Sequence, residues 1–139
     1  MAEDPGSDYS PGPDEEYMNE RQLAYFRAKL LAWRSELLEE AQGTLDGLRD
    51  SAHQEVGDDV DRATREADQA LELRTRDRCR KLVHKIDEAL VRIEDGSYGY
   101  CEETGEPISL KRLIARPIAT LSLAAQERHE RREKVHRDT

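Results

Sequence analysis

The stretch Gln22-Leu23-Ala24-Tyr25-Phe26-Arg27-Ala28-Lys29-Leu30-Leu31-Ala32-Trp33-Arg34-Ser35-Glu36-Leu37 decides the fold. Leu23, Phe26, Leu30, Trp33 and Leu37 are separated by steps of 3, 4, 3 and 4, which puts them on one face of a helix at coiled-coil core spacing. The pattern shifts phase through Ala41, Leu45, Leu48 and Ala52, and Gly43 and Gly47 fall inside this weaker part. Each glycine costs a helix interior roughly 0.5–1 kcal/mol relative to alanine, so the far end of the arm is softer than its base.

A second helical stretch runs from about Val60 to Glu94, with Ala63, Ala67, Ala70 or Leu71, then Leu82, Ile86, Ala89 and Ile93 expected on one face. Between the two lies His53-Gln54-Glu55-Val56-Gly57-Asp58-Asp59, the one clear break. A short break between two long amphipathic helices implies an antiparallel hairpin, because the second helix must fold back to cover the apolar stripe of the first. At 1.5 Å per residue each arm reaches on the order of 50 Å. Beyond Asp95-Gly96 the sequence changes character, with a short helix expected over Leu110–Ala115, stopped at Arg116 by Pro117, and a charged last helix over Leu121–Val135.

The expected fold class is therefore mainly α: a long antiparallel coiled-coil hairpin with a small C-terminal head and a terminal helix. Residues 1–16 read as a disordered acidic leader, 17–95 as the hairpin with its tip at about 54–62, and 96–139 as the head. Composition agrees. Of 139 residues 38% are charged and 36% hydrophobic, too polar a mixture for a large globular core. Residues 1–20 hold seven acids and no Lys or Arg, so they supply most of the net charge of −9. Pro5, Pro11 and Pro13 with Gly6 and Gly12 break that stretch further. No apolar run approaches the ~20 residues of a membrane span and no secretory signal pattern is present, which points to a cytoplasmic protein. Cys79 and Cys101 form no disulfide framework and are expected to be reduced.

The head carries the frame Cys101-Glu102-Glu103-Thr104, Ile108, Arg112, Pro117, Ser122 and Ala125, with turn residues Gly99, Gly105 and Pro107. A four-cysteine zinc site on this frame needs thiolates at 101, 104, 122 and 125. Cys101 alone supplies one; Thr104 and Ser122 offer neutral hydroxyls and Ala125 offers no donor. No metal is expected. His53, His84, His129 and His136 are scattered along the chain, and a cryptic site pairing one of them with Cys101 is the only route left to one. In its place, Ile108, Leu113, Pro117, Ile118, Leu121 and an aromatic pair, Tyr98 and Tyr100, are expected to hold the head by packing.

Glu16-Tyr17-Met18-Asn19-Glu20, Gln22-Leu23-Ala24, Phe26-Arg27, Trp33-Arg34, Asp58 to Ala63, Leu71-Glu72-Leu73-Arg74 and Tyr98-Gly99-Tyr100-Cys101 together resemble the DksA/TraR family over about residues 16–135. The head matches that family's finger at Ile108, Arg112 and Pro117 and departs from it at three of four cysteines, which resembles the family's zinc-independent branch. The resemblance implies a transcription factor that binds RNA polymerase. It would insert its hairpin through the secondary channel and, with the alarmone ppGpp, shift the lifetime of promoter complexes.

On that resemblance Asp58 and Asp61, with the small Ala63 beside them, match the Asp-x-x-Asp-x-Ala hairpin tip, where acids can act near catalytic Mg²⁺ or basic polymerase elements. An aspartate just before a helix is equally favoured as an N-cap, and a second one in the first turn complements the helix dipole; at Asp58 both roles can coexist. Leu82, Lys85 and Arg116 match positions that help to form a ppGpp pocket, and Arg78 belongs to the same basic strip. That strip also contains Arg74, Arg76, Arg80 and Lys81, set against Glu72 and Asp77. Several cations of fixed geometry suit a polyanionic nucleotide. Gln126 stands where the family pattern has a further lysine, which puts alarmone affinity in doubt. Cys79 reads as a small packing residue.

No arrangement of serine, histidine and carboxylate and no phosphate loop suggests an enzyme. The acidic net charge and the scarcity of aromatics disfavour direct DNA binding. The expected partners are polymerase and ppGpp, with the protein monomeric. Two alternatives stand beside this reading: an accessory factor of the transcript-cleavage type, and a structural coiled-coil adaptor.

Overall fold

The computed structural model describes the backbone of residues 9–52 and 59–138 and the side chains of residues 9–47 and 61–136. Among the described residues four helices follow in order: α1 (Glu20–Ala52), α2 (Asp59–Asp95), α3 (Leu110–Ala115) and α4 (Leu123–Asp138). Among the described residues there is no strand, only an isolated antiparallel bridge between Tyr100 and Pro107. No helix among them is long and apolar enough to cross a membrane. The chain divides into two compact units, one made of residues up to Leu30 and from Glu88 onward, the other of Leu31–Asp87.

Within the second unit α1 and α2 run antiparallel. Arg34 meets Asp87 at 2.7 Å, Arg78 meets Glu40 at 3.4 Å, and a Cβ added at Gly47 would lie 3.5 Å from Glu72 Oε1, so one residue number rises as its partner's falls. Leu37, Cys79 and Ile86 are buried in the seam, as heptad spacing requires. The expected stripe fails farther along α2, where Ala63, Ala67 and Ala70 are exposed and Leu71 is 57% exposed. Buried Ile86 and Cys79 fix the phase, and steps of seven back from them lead to Glu72 and Arg65, with Gln69 beside them. Those three residues are only partly exposed. The distal seam is thus polar, and Trp33, expected in the core, is half-buried.

In the first unit α1 begins with a reciprocal cap. Asn19 Oδ1 accepts the Gln22 N–H at 2.8 Å, and Gln22 Oε1 accepts the Met18 N–H at 2.7 Å, satisfying donors that a helix start leaves open. The core gathers Phe26, Leu30, Ala89, Tyr98, Ile108 and Leu113, each fully buried or nearly so. Complete burial of a side chain such as Phe26 contributes about 1.5–3 kcal/mol. The Tyr98 ring packs on Phe26 with centroids 5.5 Å apart, and its hydroxyl donates to Pro117 O at 2.8 Å.

One expectation is corrected in this unit, and the N-terminal segment adds contacts of its own. Of the expected disordered leader, residues 1–8 lie outside the described residues, and from Tyr9 on the chain makes side-chain contacts. Tyr9 stacks edge-on with Tyr25 at 5.9 Å, lies under the Arg21 guanidinium at 4.0 Å and donates to Glu15 Oε1 at 2.7 Å, while Pro11 is buried. Through Tyr9 this acidic segment makes aromatic and cation–π contacts with α1 that composition alone does not suggest. Tyr98 and Tyr100, in turn, are not a pair. Gly99 between them has φ +91°, which turns the backbone, so Tyr98 goes into the core while Tyr100, 39% exposed, stacks on Tyr17 at 5.7 Å.

Candidate functional site

Three groups of residues carry the chemistry expected from sequence: the hairpin tip, the basic strip on α2, and the finger positions of the head. Asp58 lies outside the described residues. Asp61 and Ala63 are exposed in the first turns of α2, which begins at Asp59. There Asp61 complements the partial positive charge of the helix start.

The basic strip is a solvated face with defined partners. Asp77 accepts from Arg80 at 2.7 Å and Lys81 at 3.0 Å. Hydrogen bonds from Lys81 and then Arg80 hold its carboxyl below the usual range. Arg78 reaches across the hairpin to Glu40. Arg78, Leu82 and Lys85 follow at helical spacings of four and three, which gathers them on one side of α2; Leu82 is half-buried and Lys85 exposed. Arg116 and Gln126 belong to the other unit. Arg116 is the exposed C-cap of α3, its N–H bonded to Arg112 O at 2.8 Å, and Gln126 donates to Glu130 at 3.2 Å. Cys79 is buried, and burial followed by its contact with Glu40 pushes its thiol up, as suits a packing residue.

The finger positions converge in the head. Cys101 is 2% exposed. Burial alone pushes its thiol up, but hydrogen bonds from the Thr104 hydroxyl and from the backbone N–H groups of Ser122, Thr104 and Glu103 outweigh it and bring the thiol down to about 6. Ser122 caps α4, its Oγ accepting the Ala125 N–H at 3.2 Å, and the Ala125 methyl is fully buried. Arg128 and His129 of α4 both hold Glu103, the former at 3.8 Å. The donor set does not fit zinc, which takes four ligands from thiolate, imidazole and carboxylate groups. Among the described residues no group of three or more His, Cys, Asp or Glu side chains is placed to hold a metal ion.

Tyr17 is a positioning residue that sequence reasoning treated only as part of a resemblance. Its hydroxyl sits against two carbonyl oxygens, Gly99 O at 2.6 Å and Ile108 O, so it clamps both sides of the turn leading into the finger. Burial, and then the neighbouring Tyr100, push its phenol up to about 12. The signal was present in Tyr17 and Gly99 separately; their contact spans 82 residues and no local pattern reveals it.

Comparison with known proteins adds the following. Residues 22–93 match the family described as DnaK suppressor protein DksA, N-terminal domain, and residues 96–131 match the prokaryotic dksA/traR C4-type zinc finger. The chain is 64% identical over 132 residues to an RNA polymerase-binding transcription factor DksA of Caulobacter vibrioides, covering 95% of this chain and 92% of the relative. It is 48% identical over 126 residues to the protein of that name from Escherichia coli strain K12, covering 91% and 83%. The solved structure of transcription factor DksA2 from Pseudomonas aeruginosa is similar with a TM-score of 0.80 and 48% identity, over 88% of this chain and 93% of that one.

Proposed function

This chain belongs to the DksA family, and from that premise we propose that it binds RNA polymerase and regulates transcription initiation without being an enzyme itself. The observation that carries the proposal is the 64% identity, maintained over nearly the whole of both chains, with a relative named for binding RNA polymerase. The fold supports it physically. An antiparallel helical hairpin that bears an exposed acid in the first turn of its second helix suits insertion into a channel near a metal-bound active centre.

In this reading the hairpin enters the secondary channel of polymerase and the tip residues Asp58, Asp61 and Ala63 act there. Leu82, Lys85, Arg78 and Arg116 supply cationic and packing contacts to ppGpp at the boundary with polymerase. Gln126 supplies a hydrogen-bonding amide where a lysine would add charge, which makes ppGpp coupling weaker than in a relative with that lysine. The protein works in the cytoplasm as a monomer, recognises no DNA sequence and needs no zinc.

The test is a pull-down of core polymerase paired with promoter-complex lifetimes. The wild-type chain is expected to be retained on polymerase and to shorten the lifetime of complexes at a short-lived promoter. Asp61→Asn should still be retained but lose the effect on lifetime. Full activity in that variant would remove the tip assignment, and a wild-type chain that fails to bind polymerase would remove the function. Adding ppGpp should deepen the wild-type effect less after Lys85→Ala than before.

A further inference from the structure

The basic strip of α2 divides around the helix. Counted from buried Cys79 and Ile86, residues Arg78, Leu82 and Lys85 fall on one flank, and Arg76, Arg80 and Val83 fall on the other. The ion pairs across the hairpin agree. Arg78 reaches Glu40, while Asp87, on the flank of Arg80 and Val83, holds Arg34. That second flank opens into a groove of about 460 Å³ between α1 and α2. Buried Leu37 and Cys79 lie at its bottom with the small Ala41, and Leu38, Leu73 and Val83 line its edges.

Two features of this groove call for an occupant. The first is apolar exposure: Leu38 is 45% and Leu73 52% exposed, and on α1 the 38% exposed Leu31 and the partly exposed Leu45 repeat Leu38 at intervals of seven. This row lies beside the seam rather than in it and runs for about 21 Å at 1.5 Å per residue. A lone exposed leucine needs no explanation, whereas a heptad row along a groove is a surface on which a third helix packs. The second feature is charge. Arg76 is exposed and has no hydrogen-bond or ion-pair partner among the described residues. Arg80 shares the single Asp77 carboxylate with Lys81, so the α2 lip keeps an excess of positive charge.

We propose that this groove is a docking site for an amphipathic helix of a partner protein, with apolar residues at heptad spacing and acidic residues along the edge that faces Arg76 and Arg80. A helix covers a straight row of this length, where a compact ligand would cover one leucine. Carboxylates at i and i+4 on that helix match two guanidinium groups with the same spacing. A second copy of this chain fits less well. Ser35 and Gln42, each four residues beyond a leucine of the row, are neutral, so an identical groove brings Arg76 no carboxylate. The site lies across α2 from Arg78 and Lys85 and is separate from the surface proposed for ppGpp.

The probe is a fluorescein-labelled synthetic helix of about three heptads, with leucine at the a and d positions and glutamate at e and g, held below the concentration at which it self-associates. A second peptide has lysine in place of every glutamate. Anisotropy titration with the full chain should show the glutamate peptide binding about tenfold tighter than the lysine peptide, with the gap narrowing in high salt. Arg76→Glu/Arg80→Glu should reverse that order, and Leu38→Ser/Leu73→Ser should weaken the glutamate peptide by about tenfold. All four positions are exposed, and far-UV circular dichroism checks that each variant stays folded; should the leucine pair not fold, the charge reversal decides alone. Equal affinity for the two peptides, no binding of the glutamate peptide, or binding that the folded variants leave unchanged overturns the proposal. So does sedimentation of the chain alone as a dimer that Leu38→Ser/Leu73→Ser dissociates, which would give the groove to a second copy. A failed polymerase pull-down would leave all of these readouts standing, so the two readings fail separately.

Discussion

Replacing Gly99 by alanine tests whether the ordered N-terminal segment truly anchors the head. Gly99 has φ +91°, outside the regions open to L-residues, and a residue with a Cβ pays about 1–2 kcal/mol to stay in left-handed backbone. The added methyl would also lie 3.0 Å from Met18 Cγ, Met18 Cε and Tyr17 Oη. Met18 can swing its thioether away at small cost. Tyr17 cannot, because its hydroxyl is held against Gly99 O and Ile108 O; displacing it forfeits a hydrogen bond of about 1 kcal/mol. The sum is a loss of about 2–3 kcal/mol, a large fraction of a small domain's stability. Urea denaturation followed by far-UV circular dichroism should show the midpoint fall with an unchanged slope. The control is the same chemical change at Gly43, in the exposed interior of α1, where a Cβ meets nothing within 4 Å and no positive φ is present. There alanine should stabilise by about 0.5–1 kcal/mol. If Gly99→Ala costs less than about 0.5 kcal/mol, the strain and the Tyr17 clamp contribute little and the argument for an anchored segment is wrong.

Two further outcomes are expected. Asp87→Asn breaks the 2.7 Å pair with Arg34, but the side chains are 49% and 36% exposed, so the loss should stay under about 1 kcal/mol and shrink in 1 M salt; a larger, salt-independent loss by chemical denaturation would contradict the assignment of a surface pair. The Cys101 thiol lies at about 6 when folded against an ordinary 9.0, so its contribution is complete above pH 9 and is lost as pH falls toward 6. The difference in melting temperature between wild type and Cys101→Ser should therefore narrow over that window, and a gap that is constant with pH would show that the sulfur is not held as a thiolate.

The regular parts of this fold were legible because heptad spacing and chain breakers are local. The first helix follows from the run Leu23 to Leu37, and α3 ends at Arg116 where Pro117 forbids its continuation. What escaped were long-range choices. Ala63, Ala67 and Leu71 look like an apolar stripe when read forward along α2, yet phase is set from the other end by Cys79 and Ile86, whose burial no local pattern weights above theirs. Tyr9 sits in a stretch whose composition signals disorder, and its contacts are with Tyr25 and Arg21 on another element. The finger positions were visible in spacing, while the donors around Cys101 are mostly backbone N–H groups and thus carry no residue identity at all.

The polar seam of the hairpin bears on how firmly Asp61 is held. Arg65, Gln69 and Glu72 remove little apolar surface from water, Glu72 has a buried carboxylate oxygen with no hydrogen-bond partner, and Gly43 and Gly47 weaken the opposing helix. Local opening there requires less free energy than around Cys79 and Ile86, so amide protons in Arg65–Leu73 should exchange with deuterium well before those near Ile86. A receptor can then mould the acidic end of such an arm at small energetic cost, and part of its binding free energy goes into ordering that end.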